Sequence, residues 1–470
     1  MAVDDKHPDY AELEPDWAMM RDARAGERRM KERGTAYLPT TSGQARAGLG
    51  TGQPGLAAYT SYVTRARVPE IVDPAVRLMT GLLNMKPPVI VLPERLEPMR
   101  DRGSKQGESL ELLLRRVQQE VLTTGRAGLL VDVPSAPVGP VTPYLVPYRA
   151  EHVINWDVAQ GPDGIERPVL VVLDETAPVR TGYSWADRRR FLVLALDDAG
   201  LYTSTAHEAA ASSDAVAATA PVEPTIAGSR PDFIPFTFVG PMDLTSTPDK
   251  PPLLALGRAT IGIYRLEADY RHALFMQGQD TLVVTGGDAE SEYAVGADAT
   301  ITVPIGGDAK FIGVDSSGLS EMRAALENDR AEAAQLGARL LRTSADAEAA
   351  ETLRIRIGSQ TADLGSVARS CAAALEQALR HAGMLTGMTK EQAEAQISVE
   401  PNMDFIDDAL AASELLTLMQ AKALGAPISL ETMHELMRRK ELTGMTLEEE
   451  LDSIGDEDPL GGPPAGGGQP

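Results

Sequence analysis

The stretch "IGIYRLEADYRHALFMQGQ", Ile261–Gln279, continues a helical pattern that Pro252 opens in "PPLLALGRAT". Two oppositely charged pairs stand four residues apart in it, Arg265 with Asp269 and Glu267 with Arg271. On the exposed flanks of a helix such pairs contribute roughly 0.3–0.5 kcal/mol each. By itself this pattern is typical of a helix that packs against the protein core with one face and exposes the opposite face to solvent. The residues that share its predicted core face are Leu256, Thr260, Ile263, Tyr270 and Leu274.

Composition limits the classes of protein to consider. With 470 residues the chain is long enough for more than one domain, at roughly 100–200 residues each. Its 68 acidic and 44 basic residues give a net charge of -24, which argues against a surface that grips nucleic-acid phosphates. The single cysteine, Cys371, excludes an intrachain disulfide and is typical of a reducing compartment. A polar, acidic N-terminus and the lack of an apolar run of about 20 residues predict a soluble protein made in the cytoplasm, without a signal peptide or membrane helix.

Hydrophobic periodicity divides the chain into helical and β segments. Residues 12–36 and 108–125 are predicted as helix, 39–55 as a loop, and the polar, alanine-rich stretch 207–229 as an exposed loop. The tail 456–470 contains too much Gly and Pro to order itself. Short strands are predicted within 126–134, 141–158, 167–176, 188–205, 232–240, 281–287, 299–304 and 310–314.

Motifs of enzyme chemistry are weak or lacking in this sequence. "GTGQPG", Gly50–Gly55, matches G-x-G-x-x-G, but it follows a loop and has Pro54 where a phosphate turn would form. The six histidines are scattered without ligand spacing, and one cysteine cannot make a structural zinc site. A carboxylate pair for hydrolysis or Mg²⁺ stays open, although Asp407–Asp408 and Asp456–Asp458 are more typical of a solvated face. We therefore predict no catalytic residue, no metal and no cofactor.

Six stretches, taken in order, resemble bacteriophage portal proteins, and most closely a portal-like family formerly catalogued as a domain of unknown function. The sequence departs from that family in the insertion 209–227 and at Asp280, where the family has proline after its first stem helix. The matching stretches span most of residues 7–455: "HPDYAELEPDWAMMRDARAG" with "YLP", "EVLTTGRAGLLVDVP", "YLVPYRAEHVINWDV", "IPFTFVGPMD", "PPLLALGRATIGIYRLEADYRHAL" and "LGARLL".

The resemblance implies an α+β portal fold with wing, stem, clip and crown, assembled as a ring of twelve subunits. It places an N-terminal wing at 1–251, a first stem helix at 252–279, a clip at 280–316 and a second stem helix at 317–342. A tunnel loop follows at 343–351, a long helix with the return to the wing at 352–400, a helical crown at 401–455 and the tail at 456–470.

The same resemblance implies a role for particular residues. Neighbouring subunits are expected to meet along the stem at Arg265, Glu267, Asp269, Tyr270 and Arg271. The tunnel loop is expected to face DNA through Arg342, Ser344, Asp346, Glu348, Glu351, Arg354 and Arg356.

As a portal protein the chain is expected in the virion, at one capsid vertex, where its ring forms the channel for packaging and ejecting double-stranded DNA. Its expected partners are eleven further copies of itself, the DNA in transit, the major capsid protein, the large terminase subunit and head–tail adaptor proteins. The packaging energy comes from the terminase, so the chain is expected not to be an enzyme. No membrane partner is expected.

Two other classes of protein remain open from the sequence. An acidic cytosolic enzyme with a mixed β domain and a helical lid needs a convergent set of His, Cys or carboxylates, which the sequence does not display. Another ring-forming virion component, such as a head–tail adaptor, is the second, although adaptors are generally much shorter. Twelve-fold rings with a central hole distinguish a portal from a monomeric or dimeric enzyme.

Overall fold

Helices and antiparallel sheets alternate along the chain, so the predicted α+β class is confirmed. The computed structural model describes residues 2–134, 142–161, 164–209, 216–225, 230–278, 281–286, 303, 305–312, 318–338 and 350–403, and beyond these residues 431, 434, 438, 446, 447 and 449. The predicted tail and almost all of the predicted crown therefore lie outside the described residues.

A long helix and a short one replace the single helix predicted over 12–36. Helix α1 covers Pro8–Ala25 and begins where the His7 side chain accepts a hydrogen bond from the backbone N of Asp9. It ends at Gly26, whose φ of 86° belongs to the left-handed region that favours glycine, and α2 follows at Glu27–Glu32. The chain thus turns at Gly26.

The glycine-rich stretch predicted as a loop contains helix α3, Ser42–Arg46. Thr41 and Gln44 form a capping box, in which each side chain accepts a hydrogen bond from the backbone N of the other residue. The loop prediction was wrong here because composition outweighed this local pattern. Three further helices complete the N-terminal region: α4 (Pro54–Arg65), α5 (Val72–Leu83) and α6 (Leu110–Thr124).

Two antiparallel sheets follow α6. The three-stranded sheet has the order β11-β2-β3 and the five-stranded sheet the order β10-β9-β8-β5-β4. Contrary to the prediction of a loop over 207–229, β9 extends to Ala209, where it pairs with Val216 of β10. The bounds are β2 (Ala127–Asp132), β3 (Tyr144–Arg149), β4 (Val153–Gln160), β5 (Glu166–Asp174), β8 (Arg190–Leu196), β9 (Tyr202–Ala209), β10 (Val216–Ala218) and β11 (Phe236–Val239).

Three two-stranded pairs complete the β structure. The pair β1 (Val89–Val91) with β14 (Ser398–Glu400) joins an early segment to a late one. The pair β6 (Ala177–Thr181) with β7 (Ser184–Arg188) is a hairpin inserted between β5 and β8. The pair β12 (Thr281–Thr285) with β13 (Asp308–Ile312) lies in the predicted clip.

The core forms where α1 packs on the two sheets. Trp17 is fully buried and meets Tyr10 edge-to-face at 5.2 Å between ring centroids. Arg126, also buried, lies over the Trp156 ring at 4.1 Å and donates a hydrogen bond of 2.6 Å to the carbonyl of Ser246. The buried Arg126 guanidinium therefore holds the loop that contains Ser246 against the aromatic core.

Three longer helices and the short helix α10 follow in the described part of the chain. Helix α7 covers Leu254–Gln277, α8 covers Leu319–Ala338, α9 covers Ala350–Leu385 and α10 covers Lys390–Gln396. Helix α9 packs on α6 and on β2 and β11 of the three-stranded sheet. Helix α7 packs on α1, α4 and α5 and pairs with α8.

Candidate assembly interface

The helix pair α7–α8 is the candidate site, because the resemblance assigns it to contacts between subunits. At roughly 1.5 Å per residue, α7 is about 36 Å long. Gly257 lets it approach α1 closely, since a Cβ there would lie 2.5 Å from the Met20 sulfur. This close contact packs the N-terminal part of α7, here called its base, against the N-terminal helices of the subunit, here called its body.

Burial along α7 decreases toward its C-terminal end. Leu256, Thr260 and Ile263 of the predicted core face are buried. Tyr270 is half-buried, and Leu274, at 41% exposure, is not part of the core. The predicted core face is therefore correct for the N-terminal part of α7 and wrong for Leu274.

Glu267 lies in the centre of the helix pair, and its prediction as an exposed flank residue was wrong. The side chain is 2% exposed and pairs with Arg271, as its spacing predicted, and with Arg330 of α8 at 3.0 Å. Helix α8 packs on this flank and removes it from solvent. Burying one carboxylate with two guanidinium groups makes α7 and α8 depend on each other.

The predicted ion pair between Arg265 and Asp269 does not form. Arg265 Nε donates a hydrogen bond of 2.8 Å to the backbone carbonyl of Tyr37. Asp269 accepts a hydrogen bond from the hydroxyl of Tyr62 on α4. Burial raises the pKa of the Tyr62 hydroxyl above its ordinary value, and the hydrogen bond to the Asp269 carboxylate raises it further. Partners from other segments thus replace the pairing within the helix.

Aromatic contacts extend the α4–α7 seam. Tyr62 meets His272 edge-to-face at 5.5 Å between ring centroids. The Arg65 guanidinium lies 3.4 Å from the centroid of the Phe275 ring. The flank of α7 that carries Asp269 and His272 is therefore occupied within the subunit, whereas Leu274 and Met276, at 41% and 40% exposure, remain uncovered.

The predicted DNA-facing residues fall in two groups. Arg342, Ser344, Asp346 and Glu348 lie outside the described residues. Glu351, Arg354 and Arg356 lie within the first two turns of α9, where the structure describes the backbone only. Their role at a channel stays a prediction.

Residues 252–385 match the family described as "Domain of unknown function (DUF4055)". This segment is less than a third of the chain. It begins two residues before α7 and ends with the last residue of α9, so it contains α7, the β12–β13 pair, α8 and α9. The family match thus coincides with the helix pair and its connections.

Two solved structures share a distant likeness with the chain. The first, described as "Neck of empty GTA particle computed with C6 symmetry", is 15% identical over 80% of this chain and 90% of that chain, with a TM-score of 0.40. The second, "Neck of native GTA particle computed with C12 symmetry", is 17% identical over 78% and 89%, with a TM-score of 0.38. At these TM-scores the likeness does not establish a shared fold. No curated protein matches the chain.

A network of charged groups that the sequence did not reveal lies beside a cleft of about 1140 Å³ between α1, α5 and α6. Arg21 of α1 pairs with Glu120 of α6 and, at 2.7 Å, with Glu151 after β3. Burial by itself raises the pKa of Glu151. The hydrogen bond from Arg21 and its positive charge outweigh burial and lower that pKa below its ordinary value. No local spacing links these residues, so periodicity could not find the network.

In the part of the chain that the structure describes, His, Cys, Asp and Glu form no group of three or more that could hold a metal ion. Burial raises the pKa of the Cys371 thiol above its ordinary value and lowers that of His381 to about 4. Among the described residues no helix combines the length and apolarity that a membrane crossing needs. The predicted lack of a catalytic or metal site in the whole chain stays a prediction.

Proposed function

We propose that the chain is a bacteriophage portal protein. In this proposal a ring of twelve copies occupies one capsid vertex of the virion. Double-stranded DNA passes through the ring during packaging and ejection. The ring also binds the major capsid protein and serves as the docking platform for the large terminase subunit and the head–tail adaptor proteins.

The observation that carries the proposal is the order of elements between residues 254 and 338. A helix anchored on the body, α7, leads to the β12–β13 pair, and α8 returns alongside α7. Stem helix, clip and second stem helix follow one another in this order in the portal architecture that the six sequence stretches resemble. The family match covers the same segment.

Assembly into a ring accounts for the uneven burial of α7. Its base packs within the subunit, while Leu274 and Met276 are left uncovered near its end. Exposed apolar side chains at the end of a long helix suit a contact with a neighbouring copy. In a closed ring the same contact recurs at every interface, so a small contribution acts many times.

The net charge of -24 suits a channel that lets DNA pass. A densely basic wall releases counterions and binds DNA with strongly salt-dependent affinity, which would hold the duplex in place. In the proposed channel, acidic residues of the 343–351 loop keep the affinity low, and Arg342, Arg354 and Arg356 contact phosphates only sparsely. The chain performs no chemistry itself, and a separate terminase supplies the packaging energy.

Electron microscopy of the purified full-length chain tests this proposal. We expect rings with a central hole and twelve-fold symmetry in negative stain, with a matching mass by native mass spectrometry. A stable monomer or dimer at all concentrations contradicts the proposal and favours the acidic enzyme. Rings that do not bind the large terminase subunit favour another ring-forming virion component.

A further inference from the structure

The β6–β7 hairpin, here called the arm (residues 177–188), is inserted between β5 and β8 of the five-stranded sheet, and Arg188 at its end pairs with Glu208 of β9 at 3.2 Å. All ten of its strand residues are exposed. Tyr183 at the turn is fully exposed, Trp185 is 65% exposed and Val179 is 43% exposed. The other two tryptophans of the chain, Trp17 and Trp156, are buried. An exposed indole on a solvent-exposed hairpin is therefore a distinct feature of this surface.

The arm has the side chains that dominate protein interfaces. Arg180 stands directly opposite Trp185 in the antiparallel register, so both lie on one face of the hairpin. Trp, Tyr and Arg are the residues most enriched among interface hot spots. With strands of five residues, the arm extends roughly 17 Å from its root to its turn.

A groove of about 820 Å³ lies at the root of the arm. Its apolar lining includes Val146, Leu192 and Val222, and Val179 of the arm itself forms part of the wall. Asp132 lies in its lining and accepts hydrogen bonds from the Tyr144 hydroxyl and the backbone N of Val133. One chain thus carries both an exposed aromatic arm and an apolar groove.

Charge complementarity links the arm to the groove. Among the described residues neither Arg180 nor Asp132 has an oppositely charged partner. The arm carries Arg180, Asp187 and Arg188, a net charge of +1 in a chain with a net charge of -24, so like charge does not oppose its approach to another copy. An Arg180–Asp132 pair across an interface would satisfy both groups.

We propose that the arm of each subunit lies in the groove of the next subunit around the ring, with Tyr183 and Trp185 on its apolar lining and Arg180 against Asp132. This proposal rests on the ring of the proposed function and names the contact that closes it. An arm-to-groove contact joins different surfaces of two identical subunits, and such head-to-tail contacts close into rings when the rotation permits. Within its own subunit the arm does not make this contact, since its strand residues are exposed and neither Tyr183 nor Trp185 lines the groove.

Tryptophan fluorescence of the full-length chain tests the contact directly. Trp185 is the exposed tryptophan, so acrylamide quenching of separated subunits reports mainly on it. We expect assembly to reduce quenching to the level of a Trp185→Phe variant. Trp185→Ala should weaken association roughly 30-fold or more, as for an interface hot spot. Met242→Ala, at a site that is 72% exposed and far from the arm in sequence, should leave association unchanged.

A charge exchange provides an independent test. Arg180→Asp and Asp132→Arg should each weaken association about tenfold or more, and the double variant should restore it to within a few-fold of the wild type. Rings in which Trp185 stays fully quenchable, or a double variant without rescue, overturn the arm contact while leaving the portal proposal intact. A wild-type chain that forms no ring overturns both.

Discussion

At the residue scale, Glu267 shows how the two candidate stem helices depend on each other. Its carboxylate is buried between Arg271 on its own helix and Arg330 on α8. Removing one partner of a buried ion pair leaves charge that solvent does not compensate, whereas exposed pairs contribute about 0–1 kcal/mol. Two arginines of α8, Arg323 and Arg330, allow these two cases to be compared on one helix.

We predict that Arg330→Met lowers the free energy of unfolding of the subunit by roughly 1–3 kcal/mol, because Arg271 alone then compensates Glu267. Arg323→Met should change it by less than about 0.5 kcal/mol, since Arg323 and its partner Glu327 are both exposed. Urea denaturation followed by circular dichroism measures both variants. Equal losses would mean that Arg330 is an ordinary surface residue.

A second residue-scale prediction concerns His381, which is buried, stacks on Phe233 and contacts Gln377. Burial lowers its pKa to about 4 from an ordinary 6.5. Between these values the unfolded chain binds a proton that the folded chain does not, so stability contributed by the neutral ring is lost as pH falls from 6.5 to 4. His381→Gln should reduce the slope of the unfolding free energy against pH in this window, by an amount that corresponds to up to one bound proton. An unchanged slope would show that the ring titrates normally.

The sequence predicted the chemistry of individual residues only where the partners are local. The Glu267–Arg271 pair follows from helical spacing and forms. Arg265 and Asp269 have the same spacing, yet they bind the Tyr37 carbonyl and the Tyr62 hydroxyl instead. Tertiary partners that lie hundreds of positions away replaced the local pair, and periodicity carries no information about them.

At the scale of the element, α7 has a buried base and an uncovered end. We predict that Leu274→Ser with Met276→Ser weakens ring assembly while changing the thermal midpoint of the subunit by only a few degrees, because both side chains are exposed. Ile263→Ala, at a buried site of the same helix, should lower the midpoint markedly through the cavity it leaves. Sedimentation velocity and thermal unfolding separate the two effects. Normal ring mass in the double serine variant would exclude the end of α7 from the interface.

Elements with strong periodicity were predictable, and short or inserted ones were not. The helical pattern from Pro252 to Gln279 corresponds to α7, Leu254–Gln277, and every strand of the two large sheets except β10 overlaps a predicted segment. The pattern missed α3 in a glycine-rich stretch and β10 in an alanine-rich one. It also gave no sign of the β6–β7 arm, whose ten strand residues all face solvent and so show no apolar alternation.

At the scale of the whole molecule, the α+β class follows from alternating periodicity, whereas the proposed ring and channel would be properties of an assembly. No single subunit displays the channel, and the segment assigned to it, 343–351, is described only from residue 350 onward. The charge of the chain nevertheless sets a physical condition on any channel it forms. In the proposed channel, a wall that passes DNA must avoid a dense array of cations, and the net charge of -24 is compatible with such a wall.

The last prediction tests that condition. Replacing Asp346, Glu348 and Glu351 together with lysine changes the charge of each subunit by six units, and a ring of twelve repeats the change twelve times around one opening. We expect rings of normal mass that bind duplex DNA with a salt-dependent affinity which the wild type lacks, and a reduced yield of DNA-filled heads. Fluorescence anisotropy of a labelled duplex at several salt concentrations measures the affinity. The matched control replaces three exposed acids outside the 343–351 loop, Asp198, Glu94 and Glu391, with lysine. If the control binds DNA equally well, net charge and not the channel position is responsible; if neither binds and packaging is normal, the 343–351 loop does not face the DNA.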